Sequence, residues 1–318
     1  MSLLKVDDLT VNYAGEESPA LKGASFDLGY GRTLGVVGES GSGKTTLALA
    51  LGGLLPTGAR MKASQIELAG QDLLDISRRR WLHLRRSEVA FVFQSPVDSW
   101  NPTRVLKVQV KDALQAAGRS DDYSRLVDVL QRVGIDDPDR VLGSYPHQLS
   151  GGMLQRMSIA VALVHEPALL IADEPTSALD STVQAEILTI LNELRTEANL
   201  SLVIISHDLS VVSRLADDVM VMYGGRVVES GETEDVLESP VHPYTRGLLA
   251  SVPNLEGETR TPLPAMPFGE IADLGCVFAT RCDLREEGCL RSEPSPIEHK
   301  SGFVACGPGR EQWVRERS

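Results

Sequence analysis

Gly38-Glu39-Ser40-Gly41-Ser42-Gly43-Lys44-Thr45, followed by Thr46, decides how the rest of this chain is read. The run fits G-x-x-x-x-G-K-[ST] and stands between an apolar stretch predicted as a strand, Thr33 to Val37, and a helical stretch, Thr45 to Leu55. Strand, glycine-rich loop and helix together make a phosphate cradle. Glycines let the backbone wrap oxygens, and N–H groups of the loop and helix start point at the anion. Lys44 brings a positive charge to the β- and γ-phosphates, and the Thr45 hydroxyl can ligate Mg2+. A nucleotide is the expected ligand, which by itself leaves the function open.

Outward from this loop, short apolar runs alternate with helical patterns as far as Gly231, which implies an α/β fold with a mostly parallel sheet. Strands are expected at Thr33 to Val37, Val89 to Phe93, Leu169 to Ala172, Leu202 to Ile205 and Asp218 to Tyr223. Each is short, apolar and bounded by turn or charged residues, as buried parallel strands are. Between Ser181 and Asn199, Val183, Ile187, Ile190, Leu191 and Leu194 recur at helical spacing. Ser95 to Val164 has no strand rhythm and is expected to be a helical insertion. Met1 to Asp8 reads as a strand, not a signal peptide. After Val252 the chain becomes rich in proline (Pro253, Pro262, Pro264, Pro267), a linker composition. The tail beyond it, about Ile271 to Ser318, holds all four cysteines.

With 318 residues, the chain has room for one large domain and a small appendage. No apolar run is long enough to cross a bilayer, so the protein is expected in the cytoplasm, doing any membrane work through a partner. Its net charge of −13 argues against nucleic acid, whose binders neutralise phosphate with a basic face. Arg78 to Arg80 with Arg85 and Arg86 read as a solvated helix face.

Further motifs follow in order. Gln94 ends the Val89 to Phe93 run. Leu149-Ser150-Gly151-Gly152-Met153-Leu154-Gln155-Arg156 opens a helical stretch, and from spacing alone is equally a turn whose serine caps a helix. Leu169-Leu170-Ile171-Ala172-Asp173-Glu174 is a buried strand ending in two carboxylates; Ser177-Ala178-Leu179-Asp180 and Ile205-Ser206-His207-Asp208 come after it. Phosphoryl transfer needs positioning, a metal and charge stabilisation more than covalent help. Asp173 suits Mg2+ binding, and Glu174 is placed to polarise the attacking water as general base. His207 could hydrogen-bond the γ-phosphate. Gln94 could reach Mg2+ and the water.

Taken in order, Tyr13, the phosphate loop, Gln94, the Ser150 signature, Asp173-Glu174, Asp180 and His207 resemble the ABC ATPase family over residues 1 to about 230, with Met153 where glutamine is usual. The resemblance implies a P-loop ATPase domain over 1–231: a RecA-like parallel core, an N-terminal antiparallel β region and a helical subdomain at about 95–164. It implies that Tyr13 stacks on adenine and that residues 38–46 hold ATP. Ser150, Gly151, Gly152, Gln155 and Asp180 would serve an ATP shared with a second ATPase subunit, identical or paralogous.

His242-Pro243-Tyr244-Thr245-Arg246-Gly247-Leu248-Leu249 and the run Phe93 to Pro102 look like those of oligopeptide, dipeptide and nickel importer ATPases. Residues 232–270 would then be an importer-type extension and linker, and 271–318 a small four-cysteine domain. The implied work is ATP hydrolysis energising peptide import through two separate permease subunits, at the cytoplasmic face, with an extracytoplasmic binding protein delivering solute. Nickel or a metal chelate is the alternative solute. A soluble non-transport ABC ATPase is less expected, since no coiled-coil insertion or tandem cassette occurs. The cysteine spacings, C-x5-C, C-x6-C and C-x16-C, leave an iron–sulfur cluster, zinc and free thiols open. Resemblance to importer tails implies a [4Fe-4S] cluster on Cys276, Cys282, Cys289 and Cys306, remote from the ATP motifs and so structural or regulatory.

Overall fold

The strand Thr33–Val37 is buried at all five positions, because it lies inside an eight-stranded sheet with neighbours on both sides. Ser201–Ser206 and Asp218–Tyr223 flank it in parallel; Leu169–Asp173 and the edge strand Val89–Val92 continue the parallel set beyond Ser201–Ser206. Parallel strands end at the same edge of a sheet, and ligands of such sheets bind outside that edge. The phosphate loop, Gln94, Glu174 and His207 each follow directly on one of these strands, so topology alone gathers them. The computed structural model describes residues 1–118, 123–177, 179–251 and 274–317.

A second, antiparallel sheet is built around Ser2–Asn12, with Leu21–Gly29 on one side and Gln65–Leu68 with Arg60–Lys62 on the other. Leu4, Val6, Leu9 and Val11 turn inward and pack with Leu47, Leu51, Val36 and Ile205, so one core joins both sheets to the helix Lys44–Leu51. That burial fixes the helix whose first turn carries the phosphate loop. A second core holds the insertion: Leu106, Val110, Leu126, Leu130, Leu154 and Met157 come from the helices Leu106–Ala116, Tyr123–Arg132 and Gly151–Leu163. The strands and the helical insertion read from the sequence are present, with ends moved by a residue or so; the helix Ser181–Ala198 spans the predicted run.

The described part of the tail packs on the main domain, in keeping with the little room it has for a core of its own. Gly302–Val304 pairs antiparallel with Arg226–Glu232, and Ile297–His299 adds the last strand, so the tail extends the main sheet. Phe278, 1% exposed, packs against Tyr223 and Tyr244 at ring centroid distances of 5.2 and 5.4 Å. Burying a side chain of that size contributes about 2–3 kcal/mol to holding the tail against the main domain. The predicted linker, with Val252 and its four prolines, lies outside the described residues, as does Ala178.

Candidate functional site

The loop between Val37 and Lys44 takes a course that side chains would obstruct. Gly43 has φ of 100°, and a Cβ there would stand 2.7 Å from the Ala20 carbonyl oxygen; one on Gly38 would collide with the Met222 carbonyl oxygen. The helix Lys44–Leu51 begins with no side-chain cap and no acidic residue in its first turn, so its N-terminal N–H groups and positive dipole end face an incoming anion. Lys44, 6% exposed, donates from Nζ to the carbonyls of Gly38 and Glu39, both at 2.8 Å. Burial lowers its pKa, while the carboxylates of Glu174, Asp173 and Glu39 work in the opposite direction.

Asp173 ends its strand 4% exposed. Burial raises its pKa; the Thr45 hydroxyl bonds to it and opposes that shift, as does the charge of Lys44. Its Oδ1 is buried without a hydrogen-bond partner. A buried carboxylate oxygen left open beside a threonine hydroxyl and a phosphate cradle fits a divalent cation carried by a nucleotide.

Glu174 has φ of 47°, a left-handed conformation costly for a residue with a side chain, and its N–H bonds the Ile205 carbonyl at 2.9 Å. Its carboxylate is 14% exposed, and two groups converge on Oε2. Gln94 Nε2 donates at 3.2 Å, and His207 Nδ1 lies at 3.0 Å. Residues expected to act together, 80 and 33 positions from Glu174, thus meet at one oxygen atom. Tyr13 follows the strand Ser2–Asn12, its hydroxyl 3.1 Å from Thr46 Oγ1, in a cleft of about 310 Å3 with Asn12, Gly15, Glu16, Gly58 and Arg60. That sets a ring beside the first helical turn after the phosphate loop.

Ser150 caps the helix Gly151–Leu163, accepting from the Met153 N–H at 3.2 Å. Ser150 is exposed and Gly151 half-buried, so the helix start is open to another molecule; a Cβ on Gly152 would press on Val183 at 2.8 Å. Asp180, also exposed, caps Ser181–Ala198 through the N–H groups of Thr182 and Val183. Gln155, expected at the shared nucleotide, is 1% exposed, with its Nε2 buried and without a hydrogen-bond partner.

The cysteines are free. The Cys276 N–H donates to the Cys289 carbonyl at 2.8 Å, and the four thiols are close enough for their charges to act on one another: burial first, then Cys282, Cys276 and Cys289, push Cys306 up to about 12. Among the described residues, no group of three or more His, Cys, Asp or Glu is placed to hold a metal ion.

Two contacts were not legible in the sequence. The Glu39 N–H donates to the Tyr244 hydroxyl at 2.8 Å, and Arg281 Nη1 donates to Glu39 Oε2 at 2.7 Å. The tail, expected to be remote from the ATP motifs, touches the phosphate loop. The importer-like motif at Tyr244 was noticed, yet nothing in it indicates a partner 205 residues earlier.

Residues 21–177 match a family model described as ABC transporter, and residues 228–289 one described as oligopeptide/dipeptide transporter, C-terminal region. The dipeptide transport ATP-binding protein DppD of Escherichia coli (strain K12) is 42% identical over 303 residues, covering 93% of each chain. The oligopeptide transport ATP-binding protein OppD of Salmonella typhimurium is 41% identical over 312 residues, covering 96% of this chain and 93% of its own. Among solved structures, cbiO1 from Clostridium perfringens, part of an ABC transporter complex, superposes with a TM-score of 0.64 at 32% identity, covering 74% of this chain and 91% of that one. The dimeric ATP-binding cassette MJ0796, bound to ADP and Pi, gives 0.63 at 25% identity, covering 72% and 98%.

Proposed function

The chain belongs to the ABC transporter ATP-binding family, in its oligopeptide/dipeptide branch, and on that premise we propose that it is the ATP-hydrolysing subunit that energises peptide import through a separate permease. The observation that carries the reading is the convergence of Gln94 and His207 on Glu174 Oε2, beside an open Asp173 oxygen and the phosphate loop.

The chemistry follows from the residues. The loop's N–H groups and Lys44 hold the phosphates, and Thr45, Asp173 and Gln94 are the residues that would hold Mg2+, which neutralises charge on the transferring group. Glu174 takes a proton from the attacking water; Gln94 and His207 fix its carboxylate for that step. His207, with a 61% exposed side chain, is free to turn from Glu174 toward a γ-phosphate. The exposed Ser150 helix start supports a role on the nucleotide of a second ATPase subunit, as does the dimeric state named for one structural relative.

Docking of a permease helix is supported by a groove of about 460 Å3 beside the edge strand Val89–Val92, lined by Phe91, Phe93, Trp100 and Gln109 and continuous with Gln94 along the chain. Among the described residues no helix is long and apolar enough to cross a membrane, in keeping with a subunit held peripherally at the cytoplasmic face. An iron–sulfur cluster on the four cysteines is the finer part of the proposal, supported by the closeness at which Cys276, Cys282 and Cys289 act on Cys306.

The test is hydrolysis by the complex purified with its permease. Glu174→Gln should keep Mg-ATP binding and lower turnover by about 100-fold or more, the size of a general-base contribution. Turnover near that of the unaltered complex removes Glu174 from this role.

A further inference from the structure

Glu39 is an awkward residue for its place. It sits second in a loop that binds phosphate, its carboxylate 41% exposed and acting electrostatically on Lys44. An uncompensated negative charge there repels a triphosphate and competes for the lysine.

The compensation comes from the far end of the chain. Arg281 reaches Glu39 Oε2 at 2.7 Å with only a tenth of its side chain exposed. It lies over the rings of Tyr223 and Phe278, 5.7 and 5.8 Å from their centroids, and its Nη1 stands 3.4 Å from the Tyr223 hydroxyl. Tyr223 ends the strand next to Thr33–Val37, so the guanidinium is held by the same sheet that launches the phosphate loop. Tyr244, 0% exposed, joins this aromatic group 4.7 Å from Tyr223 and accepts the Glu39 N–H at 2.8 Å. A buried cation locked by rings pairs more strongly than two mobile surface chains, because it gives up little side-chain freedom and is poorly screened.

We infer that Arg281 is a positioning residue for ATP binding: it masks the Glu39 charge at the mouth of the phosphate loop while Tyr244 clamps the Glu39 backbone, making the C-terminal tail part of the nucleotide site. The inference deepens the reading of residues 38–46 as the ATP cradle and rests on it.

Calorimetric titration of the full chain with ATP and Mg2+ tests it. Arg281→Met should weaken ATP binding roughly tenfold, the effect of one unmasked charge several ångströms from a polyanion, and Arg281→Lys, which keeps the charge but not the planar stack on the rings, should lose less than Arg281→Met. Adding Glu39→Gln to Arg281→Met should return affinity to within about twofold of Glu39→Gln alone, which a merely structural role for Arg281 does not give. Unchanged binding by Arg281→Met, or a loss that persists fully in the double variant, overturns the inference. If Arg281→Met unfolds, Glu39→Gln alone decides, since it leaves the Arg281 cation unopposed: ATP should bind at least as tightly, and weaker binding overturns the inference. Lys44→Ala separates the two readings. If it binds ATP normally, the cradle itself is wrong; if it loses binding while Arg281→Met does not, only the role of Arg281 fails.

Discussion

Lowering the pH should strain the fold at His242. This side chain is 1% exposed, caps the helix Pro243–Ala250 by accepting the Tyr244 N–H at Nδ1 (3.1 Å), and has no hydrogen-bond partner at Nε2. Burial pushes its pKa down from 6.5 to about 3. In the unfolded chain His242 binds a proton as the pH falls below 6.5; in the folded chain it does not until near 3. The native state holds fewer protons across that window, so stability is lost as pH falls, with a slope that approaches about 1.4 kcal/mol per unit below pH 6.5 and a loss of about 1.6 kcal/mol between pH 6.5 and 5. Glu229 works the other way: burial raises its pKa, although the Val241 and His242 N–H groups bond its carboxylate, so protonation there favours the fold as pH drops. A difference measurement isolates the histidine. His242→Asn keeps an acceptor for the cap and removes the titration. Urea unfolding at pH 6.5 and 5 should show the unaltered chain losing about 1.6 kcal/mol more than His242→Asn. Equal losses refute a neutral, buried His242.

Two further outcomes follow from the site and the tail. ATPase activity of the isolated chain should be weak, because in the proposed arrangement Ser150 to Gly152 complete a site on another ATPase subunit; full activity, linear in concentration down to nanomolar levels, from a species of monomeric mass contradicts this. Anaerobically purified protein should be brown, absorb near 400 nm and carry about four irons per chain; colourless protein with four titratable thiols and no metal removes the cluster proposal.

What the sequence made legible was local or ordered. The phosphate loop, the strand Leu169–Asp173 with its following Glu174, and the helix Ser181–Ala198 each carry their signal within a few residues of themselves. Their meeting at one sheet edge follows from parallel pairing, which an alternating strand and helix pattern already implies. The depth of Gln155 is not legible in the sequence, because Leu154, Met157, Ile159, Ala160 and Leu163 are spread around the helix Gly151–Leu163 and leave no clear polar stripe from which to tell an outward glutamine from an inward one. The docked tail was missed because its two strands are three residues each, too short for periodicity, and its anchor joins Arg281 to a glutamate 242 positions earlier. Such a contact leaves no mark on either segment alone.

Whether hydrolysis at Glu174 drives peptide import is read by rebuilding the complex of this chain with its permeases and second ATPase subunit in vesicles, with ATP at the face that carries this chain. Accumulation of a labelled dipeptide, delivered with the cognate binding protein at the opposite face, is then measured. It should depend on ATP and fall at least about 100-fold with Glu174→Gln; accumulation that survives the substitution, or that carries nickel and not peptide, contradicts the proposed function.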